Sequence, residues 1–180
     1  ELPPPRPLLH LVLGLHAWQP SWVWFANIPA WSVSNELFFY ALFPFLIVLV
    51  PAGRSWLATP RGLYLLIAVT YALGFVPWLA TRADGLESSF ALAYWPPYHL
   101  GEFVIGMAVG RLALHEAAVN GASSGVVLDG SRLVIGAVSG LLLVAWGIRP
   151  FVPDALLQNG LLAPLHGLLV YGLARGGCAG

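Results

Sequence analysis

Between Trp31 and Val50 the chain runs for twenty residues with one charged side chain, Glu36. A helix of about 20 apolar residues matches the hydrocarbon core of a bilayer. Inside that core every backbone polar group must find its partner within the protein, which leaves few folds open. Composition extends the argument to the whole chain. Of its 180 residues 58% are hydrophobic and only 9% are charged, against about 25% charged in an ordinary soluble domain. A soluble fold of this composition would lack the polar surface to cover itself, so the excess apolar surface is expected to face lipid. Fifteen prolines and twenty glycines are also better tolerated in membrane helices than in soluble ones.

Six candidate membrane segments follow: 7–18 (or on to 25), 31–50, 62–80, 97–114, 133–148 and 155–174. The expected fold class is all-α, a polytopic membrane helix bundle forming one transmembrane domain over 1–180. If Arg6 is cytoplasmic, strict alternation places Arg54, Arg61, Arg111, Arg132 and Arg175 on that side, and only Arg82 and Arg149 outside. That asymmetry fits the positive-inside rule. It also puts the starts of the second and fourth segments on the extracytoplasmic side. The stretch Asn120–Gly125 reads as a flexible Gly/Ser/Ala linker.

Several classes are excluded. The formal net charge is zero, so no nucleic-acid partner is expected. A lone cysteine, Cys178, offers neither a disulfide nor a metal cluster. His10 and His16 are six residues apart and share no helical face, so no metal site is expected. There is no dinucleotide-binding glycine pattern. The opening Glu1–Arg6 lacks the layout of a signal peptide, and the chain is expected to begin inside a longer protein.

Two polar clusters stand out against this apolar background. The first runs Asn27-Ile-Pro-Ala-Trp-Ser-Val-Ser-Asn-Glu-Leu-Phe-Phe-Tyr40 and on to Pro44. Trp31 suits a membrane interface. A carboxylate at Glu36 costs on the order of 2.5 to 3.5 kcal/mol toward the membrane centre, so it is expected to face the bundle interior or a wet cavity. Ser32 is four residues before it, on the same helical face, and Asn35 flanks the pair. The structural alternative is that Ser32 caps the helix and Glu36 pairs with an arginine. The second cluster is Tyr94-Trp-Pro-Pro-Tyr-His-Leu-Gly-Glu-Phe-Val-Ile-Gly-Met107. His99 and Glu102 lie three apart on one face and suit proton transfer. Alternatively, Glu102 anchors packing and His99 lies among headgroups. His166 is read as a packing residue, Asp84 and Glu87 as solvated loop residues, and Asp129 and Asp154 as loop or cap residues.

Pro29-Ala-Trp-Ser-Val-Ser-Asn-Glu36 with Phe39, Tyr40 and Pro44 resembles the Trp-Ser-Leu-Ser-x-Glu…Phe-Tyr…Pro signature of the acyltransferase 3 family. Pro97-Tyr-His-Leu-Gly-Glu102-Phe103…Gly106-Met107 resembles that family's downstream Glu-Phe…Gly-Met segment. The resemblance implies a bacterial inner-membrane enzyme of about ten helices, of which this chain would be a C-terminal part. It implies transfer of an acyl group, often acetyl, from cytoplasmic acyl-CoA to a hydroxyl of an extracytoplasmic acceptor, such as a saccharide, lipid-linked sugar or macrolide-like compound. Acyl-CoA is then a co-substrate rather than a bound cofactor, and the partners are membrane lipids, acyl-CoA and a cell-envelope acceptor. On this resemblance Glu36, Glu102 and His99 are the catalytic candidates. Trp31, Ser32, Ser34, Asn35 and Tyr40 are the candidates for substrate binding.

The family's proposed catalytic histidine and its Arg-x-x-Arg pair precede the tryptophan motif, and this chain has no Arg-x-x-Arg. The isolated chain is therefore expected to be inactive. Arg6 and His16 mimic the spacing of the family's first-helix arginine and histidine. They fall where the family has a different helix, and are read as coincidence. Asn35 replaces a usually apolar residue, and His99 stands where an arginine is common. A small transporter, flippase subunit or structural membrane protein is the alternative, since embedded carboxylates and Pro/Gly-broken helices also mark substrate pathways.

Overall fold

The computed structural model describes residues 5–23, 28–49, 56–82, 94–120, 130–153 and 156–176. The expectations for Arg54, Asp84, Glu87, the 121–125 part of the linker, Asp129, Asp154 and Cys178 lie outside them. The described residues form helices joined by turns, in keeping with the all-α expectation. The helices are α1 (Pro5–Val12), α2 (Trp31–Leu49), α3 (Pro60–Gly74), α4 (Val76–Arg82), α5 (Leu100–Asn120), α6 (Gly130–Leu143) and α7 (Ala163–Gly176). Because α3 and α4 form one jointed rod, there are six helical units among the described residues.

Three of them are long and apolar enough to cross a membrane: Trp31–Val48, Pro60–Leu79 and Gly130–Phe151. The other three expected spans are not among these. The first breaks after eight residues, with Gly14 at φ +66°, a left-handed conformation that favours glycine. Eight residues rise only about 12 Å, so α1 by itself is shorter than a bilayer core. The fourth expected span forms α5, a helix of 21 residues that carries Glu102, Arg111 and Glu116. The sixth is interrupted by a π-helical turn over Leu157–Leu161, with Gly160 at φ +90°, and leaves α7 at 14 residues.

Local chemistry explains the boundaries. Thr59 caps α3: its Oγ1 accepts from the Gly62 N–H at 3.1 Å, and Pro60 occupies the first turn, where a missing N–H costs nothing. Pro44 lies inside α2 without ending it, a tolerance typical of membrane helices.

Packing runs α3 to α5 to α7 to α6. Leu63 of α3 meets Ala108 and Leu112 of α5, with Leu66 and Ile67 packed around them. Ile105 and Val109 on the next turns of α5 meet Ala163 of α7, with Ile67, Tyr71 and Tyr171 alongside. Thus α3 runs antiparallel to α5, and α7 parallel to it. Small residues let α6 and α7 approach closely. A Cβ on Gly172 would come within 2.9 Å of the Gly130 carbonyl oxygen, and one on Gly140 within 2.9 Å of Leu165. At the far end of α5, Glu116 forms an ion pair with Arg175, whose guanidinium also sits 4.7 Å from the Tyr171 ring centre. Arg61, Arg111, Arg132 and Arg175 therefore belong to the half of the bundle that holds Leu63, Leu112 and Gly130. The starts of α2 and α5 lie at the opposite end.

Candidate functional site

The two polar motifs meet at that opposite end. Trp31 opens α2, and its ring lies 5.9 Å from the His99 ring and 5.5 Å from Tyr94, centre to centre. Two turns deeper along α2, Phe39 stacks on Phe103 at 4.9 Å, and Phe43 reaches the same ring at 6.3 Å. The aromatic pairs bring residues 94–103 beside α2, although the two motifs are some sixty residues apart in the chain. His99 is buried at the end of the 3-10 turn Pro96–His99. Glu102 follows on the first turn of α5. It is exposed on one side, and its carboxylate lies against the Gly160 backbone.

The polar stripe on α2 is arranged differently from the expected one. Ser34 and Asn35 are the buried polar residues of this helix, at 1% and 5% exposure. They share their face with Phe38 and Leu42, which are half-buried. Glu36 is exposed, on a face with Val33, Leu37 and Tyr40. At 3.6 residues per turn, a helix that buries positions 34 and 35 turns position 36 about 100° further away. Within the described residues Glu36 therefore does not face the bundle interior. Ser32 is half-buried and does not cap α2: it lies inside the helix, and its hydroxyl donates back to the Pro29 carbonyl at 3.0 Å. Tyr40 is 65% exposed.

His16, read from the sequence as coincidence, is buried against this motif. It begins the 3-10 turn His16–Trp18 and is 1% exposed. Ser34 holds the turn through three contacts. Its Oγ donates to the Gly14 carbonyl at 2.5 Å, accepts from the Ala17 N–H at 3.4 Å, and lies 3.4 Å from His16 Nδ1. Trp18, at the end of the turn, meets Phe38 edge-on at 5.3 Å and Trp95 at 6.1 Å. Leu37 covers Gly14, where any Cβ would collide with it. Burial pushes the His16 imidazole below its ordinary value of 6.5, outweighing the opposite pull of the Ala30 carbonyl. His16 Nε2 and Asn35 Oδ1 are buried without a hydrogen-bond partner among the described residues. The sequence signal that pointed here was the spacing of Arg6 and His16, set aside above as coincidence.

The structure thus brings together Trp31, Ser34, Asn35 and His99, adds His16, and leaves Glu36 and Tyr40 on the outer face of α2. Among the described residues no group of three His, Cys, Asp or Glu side chains could hold a metal ion.

Over 132 residues the chain is 30% identical to the acyltransferase MdmB of Streptomyces mycarofaciens. The chain is a distant homologue of an acyltransferase. The match takes in 71% of this chain but 31% of that protein, so the chain spans about a third of its relative's length. No protein-family profile matches it. No solved structure matches it.

Proposed function

We propose that this protein works in acyl transfer at a bacterial inner membrane. It moves an acyl group, most simply acetyl, from acyl-CoA to a hydroxyl of an extracytoplasmic saccharide or other cell-envelope acceptor. The similarity to an acyltransferase over 132 residues carries this reading. The polar end of the bundle supports it. A hydroxyl acceptor needs a base within hydrogen-bond reach, and this end holds the imidazole of His99 beside the Trp31 ring, with the carboxylate of Glu102 on the next turn against Gly160. The arginines at the other end support an orientation with that end in the cytoplasm, which turns Trp31 and His99 outward. The described helices would form part of a larger bundle of about ten.

In this reading Trp31, Ser32, Ser34 and Asn35 shape the acceptor side. Glu36 and Tyr40 meet the acceptor, or a further helix, across the exposed face of α2. The test uses the full-length gene product in membrane vesicles, with acetyl-CoA labelled in its acyl group, and reads label fixed in envelope material. Wild-type protein transfers label, and Glu36→Gln and His99→Ala each reduce transfer at least tenfold. Vesicles that fix no more label than protein-free controls overturn the reading. Undiminished transfer by Glu36→Gln removes that residue from the site.

A further inference from the structure

The hydrogen bonds of Ser34 dictate the protonation of its histidine neighbour. A serine hydroxyl has one proton to donate and two lone pairs to accept with. The proton is committed to the Gly14 carbonyl at 2.5 Å, and the Ala17 N–H fills one lone pair. What remains for His16 Nδ1, 3.4 Å away, is a lone pair. The bond therefore forms only when Nδ1 carries the proton. In the neutral ring this leaves Nε2 bare, an atom with no hydrogen bond among the described residues; the competing arrangement directs the ring proton to the Ala30 carbonyl and gives up the Ser34 bond.

The position of this bond matters more than its strength. Ser34 stands inside Trp31-Ser-Val-Ser-Asn-Glu36, next to buried Asn35 and three residues beyond Trp31. The turn that His16 begins also carries Trp18, whose ring touches both Phe38 of α2 and Trp95, the residue before the Pro96–His99 turn. A shift of the 16–18 turn would move α2 against the His99 segment. We propose that His16, as its Nδ1–H tautomer, is a positioning residue. Through Ser34 and Trp18 it sets the placement of Trp31 and Asn35 relative to His99. This role rests on the acyl-transfer reading above.

Two substitutions test it, because asparagine and glutamine imitate different ring nitrogens. Asparagine places an amide N–H near the position of Nδ1, and glutamine places its amide near Nε2. Full-length protein in membrane vesicles is supplied with labelled acetyl-CoA, and transfer is followed as kcat and KM. His16→Asn is expected to keep wild-type turnover. His16→Gln is expected to lose about 10- to 100-fold in kcat, the scale set by misplacement of reacting groups by an ångström or so, with KM for acetyl-CoA unchanged. Ser34→Ala is expected to lower kcat in the same way. Equal behaviour of the Asn and Gln variants, whether both active or both impaired, overturns the proposal.

If the wild-type protein transfers no label, the acyl-transfer reading falls, and the positioning role falls with it. The tautomer is decided separately by 15N-histidine spectra of the protein in nanodiscs. A signal missing from His16→Gln that shows a protonated Nδ1 and a bare Nε2 supports the assigned bond. A protonated Nε2 with a bare Nδ1 refutes it.

Discussion

Ser34 and His16, eighteen residues apart, bury their polar atoms against each other at 3.4 Å, and neither is more than 1% exposed. The contact ties the short amino-terminal helix to the motif that opens α2. Ser34→Ala would leave the Ala17 N–H, His16 Nδ1 and Gly14 carbonyl without their partner. Loss of a buried partner costs about 1–3 kcal/mol, so the variant should melt at a lower temperature than wild type in detergent micelles. A melting temperature equal to wild type would show that water replaces the hydroxyl.

The stability that His16 contributes depends on pH with a definite sign. Burial lowers its pKa in the folded chain below the 6.5 of the free side chain. The unfolded chain therefore takes up a proton that the folded chain resists, and stability falls as protons are added. The contribution is fully present above about pH 6.5 and is lost as pH falls through the folded pKa. Wild-type protein should lose melting temperature from pH 7.5 down to 5.5 more steeply than His16→Asn, which has no ring to protonate. Parallel profiles for the two would rule out a buried neutral histidine.

Gly172 should tolerate no side chain. Gly172→Leu would drive a side chain into the Gly130 carbonyl and Leu133 and force α6 from α7, and overpacking of this kind costs about 1–3 kcal/mol. Gly106, in α5, has open space where a methyl group would stand, with nothing within 4 Å. Gly106→Ala should be neutral or stabilise by about 0.5–1 kcal/mol through the helix interior. Melting of the two variants beside wild type checks the contrast.

The ion pair of Glu116 and Arg175 joins the ends of α5 and α7, with both side chains largely shielded. A double-mutant cycle with Glu116→Ala and Arg175→Ala should return a coupling of about 0.5–3 kcal/mol, the range for residues in direct contact. Additive losses would mean that Arg175 is held by its stacking on Tyr171 alone.

The candidate site was partly legible in the chain. Trp31, Ser34, Asn35 and His99 could be picked out because polar and aromatic residues are costly in an apolar background and tend to collect where they have partners. The facing of Glu36 was not legible. Its pairing with Ser32 assumed a buried side of α2 that begins at Ser32, whereas Trp18 and Gly14 pack the helix on the side of Ser34. His16 was missed for the same reason: its partner is eighteen residues away, and helical spacing says nothing about contacts made across a turn.

By itself the sequence determined that this protein is helical and that its second, third and fifth apolar runs are long enough to cross a membrane. Those properties depend on length and local polarity, which are written residue by residue. Only the tertiary structure decided which ends gather together, which face of α2 is covered, and that the first and sixth runs break at Gly14 and Gly160. Those outcomes depend on contacts between distant segments, where the turn of a helix by a single residue moves a side chain about 100° around its axis.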